Sequence, residues 1–285
     1  ADELSLYGRF DFILAKDGTP KILEFNADTP TSLLEASVIQ WQWKEDVFPE
    51  CDQFNGIHEG LVQSWKDIFP KKGEIYFAGA LENNEDTGTL QYLASTAMEA
   101  GFSTRVLDMQ ALDLQNGRFF DPAGELVNRC FKLYPWEWMV DESPDGCLAE
   151  MEWLEPIWKL VMSNKAILAT LYELFPDSPY VLPCYLSRPR SGLFCKKPVF
   201  SREGHNVSVV DIRNWEEHVR IAETEGDYNT GAYVYQEYVE PTAYSGRYPV
   251  IGSWIIGGEA AGIGIRENRM EVTDNLSEFV PHIIG

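Results

Sequence analysis

Basic residues are scarce in this 285-residue chain. Lysine and arginine number 23 against 45 aspartates and glutamates, a formal net charge of −22. A nucleic-acid surface needs the opposite balance, because its phosphates are neutralised by lysine and arginine. An anionic membrane surface would be repelled for the same reason. The acidity could concentrate a cationic small molecule by steering. It serves solubility equally well, so it names no ligand. Cysteine is sparse too, with Cys51, Cys130, Cys147, Cys184 and Cys195. The number is odd and no CxxC occurs, which argues against a disulfide framework or a cysteine zinc site and for reduced thiols in the cytoplasm. His58, His205, His218 and His282 are scattered, with no HxH or HExxH spacing for a histidine zinc site. No GxSxG elbow or Cys-His signature supports a protein nucleophile, which leaves amidase or protease chemistry without local support. No GxxxxGK[ST] loop or dinucleotide fingerprint occurs either. No run of about eighteen apolar residues suggests a membrane span. The segment ADELSLYGRF has neither a charged n-region nor an apolar h-region, so no signal peptide is expected.

What is present is a core. Hydrophobic residues make up 45% and aromatic residues 13% of the chain, enough to pack a large domain or two close lobes. LYGRFDFILA alternates as a strand, Asp17-Gly18-Thr19-Pro20 is a turn signal, and KILEF reads as the returning strand of a hairpin. A helix is expected through LLEASVIQWQWKED with Thr31 as its cap, and another over 56–68. EIYFAGAL, a helix over 87–99 closed by Gly101, and FSTRVLDM alternate as strand, helix and strand, which indicates an α/β lobe. LVNRCFKLY is a further strand. Helical patterns are expected to dominate 150–175, interrupted near Pro156 and Ser163. Strands then return in GLFCKKPVF, NVSVVDI, AYVYQEYV, VIGSWIIG and AAGIGIRE, with Gly257-Gly258 as a hairpin turn.

The strongest chemical constellation is Asp11 with Glu24 and Asn26. Residues 24 and 26 share one face of a strand, and Asp11 can face them from the partner strand. Two carboxylates and an amide oxygen are hard ligands of the kind magnesium takes beside water and phosphate oxygens. The same spacing also describes a polar hairpin end with solvated carboxylates. Arg9 shares the face of Asp11. It could hold a phosphate or carboxylate bidentately, or pair with Glu24 or Asp28. Lys165 stands near a helix start, and Lys197 in Phe194-Cys195-Lys196-Lys197-Pro198 points from an apolar strand, where a cation is costly without an anion. Each could instead snorkel to the surface. The loop Ser201-Arg202-Glu203-Gly204-His205-Asn206 could cover phosphates with backbone N–H groups, or simply turn a hairpin. Arg266 could add a cation to a phosphate site, or pair with Glu267 or Glu271 at the surface.

These segments together resemble the synthetase domain of the glutathionylspermidine synthase family, which includes stand-alone acid–amine ligases. The strings that carry the resemblance are GRFDF, LEFNADTPTSLLEA, EDTGTLQYL, FKLYPWEWM, SNKAIL, KPVFSREG, IGSW and AGIGIRE, spread over residues 8–267. The resemblance implies an α+β, ATP-grasp fold, with two lobes of mixed and antiparallel sheets clamping ATP. The approximate lobes would be 1–70 (metal-binding hairpin and helices), 71–155 (α/β substrate lobe) and 156–285 (ATP-binding lobe and lid). It implies a cytoplasmic, ADP-forming carbon–nitrogen ligase that uses ATP and Mg2+, with two ions. An acyl phosphate would be attacked by an amine, with glutathione and spermidine as the type substrates. Carried over residue by residue, Asp11, Glu24 and Asn26 match magnesium ligands. Arg9, Asp11, Lys165, Lys197, Gly204 and the adenine strand Gln236, Glu237, Tyr238 and Val239 match the ATP site. Arg9, Thr29 and Glu85 match glutathione contacts, and Arg9 with Arg266 match the arginines at the reacting centre. The bifunctional members carry an amidase domain that this sequence does not include, and a further part of the ligase domain is expected ahead of Arg9. A catalytically inactive nucleotide-binding homologue, or a ligase for another peptide acid and amine, remains open beside the type reaction. The expected partners are a glutathione-like acid and a polyamine-like amine, with no nucleic acid, no membrane, and a homodimer left open.

Overall fold

A computed structural model describes residues 3–202, 204–221, 231–271 and 277–285. The N-terminal hairpin forms as its sequence requires. Strand β1 (Tyr7–Leu14) turns through Gly18, whose φ of 81° suits a residue without Cβ, into β2 (Pro20–Asn26). The hairpin is one edge of a five-stranded antiparallel sheet. Its other strands come from the far end of the chain: β15 (Tyr248–Ile256), β16 (Glu259–Asn268) and β17 (Glu278–Val280), in the order β17-β16-β15-β1-β2. The two chain ends therefore build one sheet.

A second, parallel sheet has the order β4-β3-β8-β9, from β3 (Glu74–Gly79), β4 (Ser103–Asp108), β8 (Arg129–Leu133) and β9 (Glu152–Leu154). Helix α3 (Asn84–Glu99) crosses between β3 and β4. Asn83 caps it by accepting from the Glu85 N–H at 2.9 Å, and Gly101 closes it with φ 94°. A small ribbon of β5 (Asp113–Gln115), β6 (Arg118–Phe120) and β7 (Leu126–Val127) lies between β4 and β8 in the chain. The third large sheet is antiparallel, β10-β14-β11-β12-β13, from β10 (Cys184–Tyr185), β11 (Gly192–Pro198), β12 (Ser208–Arg213), β13 (Glu216–Ile221) and β14 (Tyr233–Glu237). We refer to the three as the hairpin sheet, the parallel sheet and the lysine sheet.

Helix α2 (Ile57–Ile68) packs on the hairpin sheet, and α1 (Gln40–Val47) continues from a π-helical turn that packs on β16. Short α4 (Trp136–Glu142), α5 (Pro144–Cys147), α6 (Lys159–Ser163) and α7 (Ile167–Leu174) follow the parallel strands. The main core joins the hairpin and parallel sheets through Tyr7, Leu33, Trp65, Phe77, Phe131 and Trp254, all at most 1% exposed. All five cysteines are free thiols. Among the described residues no helix is long and apolar enough to cross a membrane.

Three local expectations need correction. LVNRCFKLY is not one strand: it breaks at Asn128 into β7 of the ribbon and β8 of the parallel sheet. Within 150–175, α6 and α7 form on either side of the expected break near Ser163, but Glu152–Leu154 is a strand that pairs in parallel with β8. The first helix starts as a π-helical turn over Glu35–Ile39 without a side-chain cap. Ser32 adopts φ 66° ahead of it, and the Thr31 carbonyl is turned to accept a hydrogen bond from Arg9.

Candidate active site

A single cavity lies between the hairpin sheet, the lysine sheet and the C-terminal ends of β3 and β8, where open sheets with parallel strands commonly receive ligands. Its base is the β1–β2 ladder. Register sets Asp11 opposite Glu24 and Arg9 opposite Asn26, so the four side chains share one face. Arg9 is 4% and Asp11 2% exposed. The Arg9 guanidinium grips Asp11 twice, at 2.6 and 2.9 Å, and reaches the Thr31 carbonyl. Neither Glu24 nor Asp28 is its hydrogen-bonded partner. Gly252, opposite Asp11 on β15, makes this possible. A Cβ there would lie 2.7 Å from the Arg9 Cδ. Arg266 reaches across from β16 and donates to the same Asp11 carboxylate at 2.9 Å. It is therefore a site residue rather than a surface partner of Glu267 or Glu271.

Asn26 places its amide between the carboxylates, with Nδ2 3.3 Å from Asp11 and 3.1 Å from Glu24. Turning that amide over presents its oxygen to the same point, a choice that hydrogen-bond partners decide. Burial works against ionisation of Glu24, but the ammoniums of Lys165 and Lys197 outweigh it and hold its carboxyl down at about 2. Burial also opposes the charge of Arg9, and Asp11 more than restores it. For Arg266, burial and repulsion from Arg9 lower the pKa below the usual arginine value.

The opposite wall supplies lysines. Lys197, on β11, is 5% exposed and donates to the Leu23 carbonyl at 3.0 Å and to the Gln236 side chain at 2.8 Å. Gln236 in turn donates to the Ile22 carbonyl at 2.8 Å. Lys165 stands just ahead of α7, 3.1 Å from Glu24 and 2.7 Å from the Ser201 carbonyl. Gly204, with φ 70°, and the segment Gln236–Val239 complete this side. Glu203 lies outside the described residues. Thr29 and Glu85 line the third wall. Thus Arg9, Asp11, Glu24, Asn26, Thr29, Glu85, Lys165, Lys197, Gly204, Gln236, Glu237, Tyr238, Val239 and Arg266 all face one cavity.

Sequence reasoning missed the partners of three residues of the surroundings, Arg202, Lys132 and Asp28. Arg202 bridges two walls, donating to Thr29 and, at 2.6 Å, to Glu137. Its signal was weak, a lone arginine in a glycine loop. Lys132 is fully buried and pairs with Asp28 at 2.6 Å. It carried the signal used for Lys197, a lysine between apolar neighbours in a strand. Burial lowers its pKa, with Asp28 as the main opposing influence. Asp28 also accepts the Trp136 N–H at 2.9 Å, so the chain just after Asn26 is anchored to β8 and α4.

The family model described as glutathionylspermidine synthase preATP-grasp matches residues 1–285. The chain belongs to that family. It is 39% identical to a Haemophilus influenzae protein whose name proposes an acid–amine ligase, over 97% of this chain and 74% of that one. It is 28% identical to the trypanothione synthetase of Crithidia fasciculata over 95% of this chain and 46% of the relative. It is 26% identical to the bifunctional glutathionylspermidine synthetase/amidase of Escherichia coli over 97% and 49%. The chain thus spans about half the length of the last two. Among solved structures, a proposed γ-glutamylcysteine synthetase of Methylobacillus flagellatus superposes with a TM-score of 0.67 at 10% identity, covering 98% of this chain and 80% of that one. A glutathione synthetase-like effector of Globodera pallida superposes with a TM-score of 0.59 at 10% identity, over 99% and 77%. These likenesses place the preATP-grasp chain in the ATP-grasp-type fold expected from its sequence.

Proposed function

We propose that this chain is an ATP- and magnesium-dependent ligase that joins a carboxylate to an amine. The observation that carries the reading is the convergence of Asp11, Glu24, Asn26, Lys165, Lys197 and Arg266 on one cavity. The donor chemistry fits magnesium. The described residues contain no cluster of three or more His, Cys, Asp or Glu able to hold a metal, and the set here is two carboxylates and an amide. Magnesium typically takes so few protein oxygens and completes its shell with water and phosphate. Asp11, Glu24 and Asn26 would hold it, as one or two ions. Bound there, it would neutralise phosphoryl oxygens in transfer.

In this reading ATP lies along the lysine sheet, its base against Gln236–Val239 and its phosphates under Gly204. Residues 156–285 supply that side and complete the hairpin sheet, residues 71–155 supply the acid's wall, and residues 1–70 carry the metal hairpin. Lys165 and Lys197 exchange neutral carbonyl acceptors for phosphate oxygens. An oxygen of the acid attacks the γ-phosphorus, and ADP leaves. The amine then attacks the acyl carbon, loses a proton, and phosphate departs with the C–O bond electrons. Arg9 and Arg266, both anchored on Asp11, stabilise the oxyanion of the tetrahedral centre. None of this needs a protein nucleophile. Half-buried Cys195, which lines the cavity, fits that expectation, because desolvation raises its thiol pKa and disfavours the thiolate.

A glutathione-like acid, contacting Arg9, Thr29 and Glu85, and a polyamine-like amine are the substrates we favour. Support comes from the names of the Crithidia fasciculata and Escherichia coli relatives. The test is ADP release with ATP, magnesium and a matrix of glutathione-like peptides, simple acids, polyamines and monoamines. Amine-dependent ADP and an amide product by mass spectrometry are expected. Nucleotide binding with no amine-dependent ADP for any pair would favour an inactive nucleotide-binding homologue instead.

A further inference from the structure

Behind the cavity, and not lining it, lies a buried ion pair. Glu155 is 0% and Lys159 3% exposed, and their charged groups are 3.4 Å apart. Their partners are backbone groups of the hairpin. Glu155 Oε1 accepts the N–H groups of Leu6 and Tyr7 at 3.0 and 3.1 Å. Lys159 Nζ donates to the Tyr7 carbonyl at 2.8 Å and the Ala27 carbonyl at 3.0 Å. The β1–β2 ladder ends at the Arg9–Asn26 pair. Beyond it two carbonyl acceptors, Tyr7 of β1 and Ala27 just after β2, are bridged by a single ammonium.

An ammonium has three donors. Two are met by carbonyls, and Glu155 Oε2 stands 3.4 Å away as a counter-charge without a hydrogen bond. An apolar residue at 159 would leave both carbonyls without that donor and Glu155 without its counter-charge, a costly outcome in a buried site. A buried ion pair is a poor source of net stability, so stability alone is a weak reason for placing one here. Position is a better one. Tyr7 stands two residues before Arg9, and Ala27 follows Asn26 directly. The chain beyond Ala27 leads to the Thr31 carbonyl that receives Arg9.

We propose that the Glu155–Lys159 pair is a positioning element for the magnesium and phosphate site, fixing the separation of β1 and β2 at the end that carries Arg9 and Asn26. The proposal rests on the reading of that site as a magnesium–nucleotide site. Partners that orient metal ligands from behind typically account for about 10–100-fold in metal affinity or activity.

The test uses the full chain and isothermal calorimetry with magnesium and a non-hydrolysable ATP analogue, beside thermal midpoints and ADP release. Lys159→Met is expected to weaken magnesium–nucleotide binding about 10–100-fold at temperatures where the variant remains folded. Lys159→Arg keeps the charge and several donors and is expected to recover much of that loss. Thr96→Val removes the buried bond from Trp65, 2.9 Å long, elsewhere in the same core. It should lower the midpoint without moving the affinity. Should Lys159→Met fail to fold, Glu155→Gln takes its place, with a several-fold loss of affinity expected. Unchanged affinity in the folded variant overturns the proposal, as does a loss equal to that of Thr96→Val. A parent chain that binds no magnesium–nucleotide overturns both this proposal and the reading of the site. A parent that binds, with variants that bind equally well, overturns the proposal alone.

Discussion

The two sheets that face each other across the cavity hold their cations in different ways. On the hairpin sheet, Arg9 and Arg266 are committed to a carboxylate, with Arg9 forked onto Asp11 and Arg266 on the same group. On the lysine sheet, Lys197 rests on a backbone carbonyl and an amide oxygen. Lys165 divides itself between a carbonyl and Glu24. Charge-assisted, bidentate pairs fix geometry, and they are roughly twice as strong as neutral hydrogen bonds. Neutral acceptors give up an ammonium to a phosphate at lower cost. The arginine side is therefore built in advance around Asp11, whereas the lysine side is built to exchange partners. This is the division expected of a planar fork and a point charge.

The comparison breaks most readily at Asp11. Asp11→Ala removes an oxygen donor and the anchor of both arginines, so ADP release in steady-state assays is expected to fall by roughly 10³-fold or more. It should also destabilise, because Arg9 is left buried without its counter-charge, at a cost of about 3–5 kcal/mol. A variant that keeps the parent's thermal midpoint would show that Asp11 does not organise the arginines. Lys197→Met is the matching change on the other sheet. It removes a phosphate-facing charge and one of the two ammoniums that hold Glu24 ionised, but its hydrogen bonds are to neutral oxygens, so activity is expected to drop about 10²-fold with a smaller change in midpoint. Equal destabilisation by the two variants would erase the distinction. Gly252→Ala sharpens it further. The new Cβ would press on Arg9 at 2.7 Å, and a displaced catalytic group is expected to lower kcat by about 10-fold. Nucleotide affinity should fall less than kcat, because Lys165 and Lys197 are untouched.

The same contrast explains how much could be read in the sequence. The hairpin was legible because its signals are local, with alternation on both sides of an Asp-Gly turn and three oxygen-bearing residues within one register. The strand identity of β11, β12, β14, β15 and β16 was legible for the same reason. That Asp11 would bind Arg266, 255 positions along the chain, was not, since it depends on β15 bringing β16 beside β1. The ribbon β5–β7 and strands β10 and β17 are two or three residues long, too short to show a period. At 150–175 helical spacing dominates the pattern, yet three residues there are drawn into the parallel sheet by pairing with β8. Lys132 was missed although it carries the same signal as Lys197, because the aromatic cluster after it drew the reading toward packing.

The expected effect that ties the two sheets together is an acid limb of stability. Glu24 belongs to the hairpin but owes its low pKa of about 2, against an ordinary 4.5, to Lys165 and Lys197, which outweigh the cost of its burial. A carboxyl whose pKa is lower in the folded state stabilises the fold fully above the unfolded value. That contribution is lost as pH falls from about 4.5 toward 2. With the Glu24 side chain 26% exposed, solvent screening reduces the nominal gain to about 2 kcal/mol. Glu24→Gln should therefore flatten this part of the curve of urea midpoint against pH and leave the neutral limb with the same slope. Lys165→Met should flatten it in part, from the other side of the cavity. If Glu24→Gln instead retains the parent's acid slope, the charge contact between the sheets is not what holds Glu24 ionised. The two walls would then have to be treated as electrostatically independent before a nucleotide joins them.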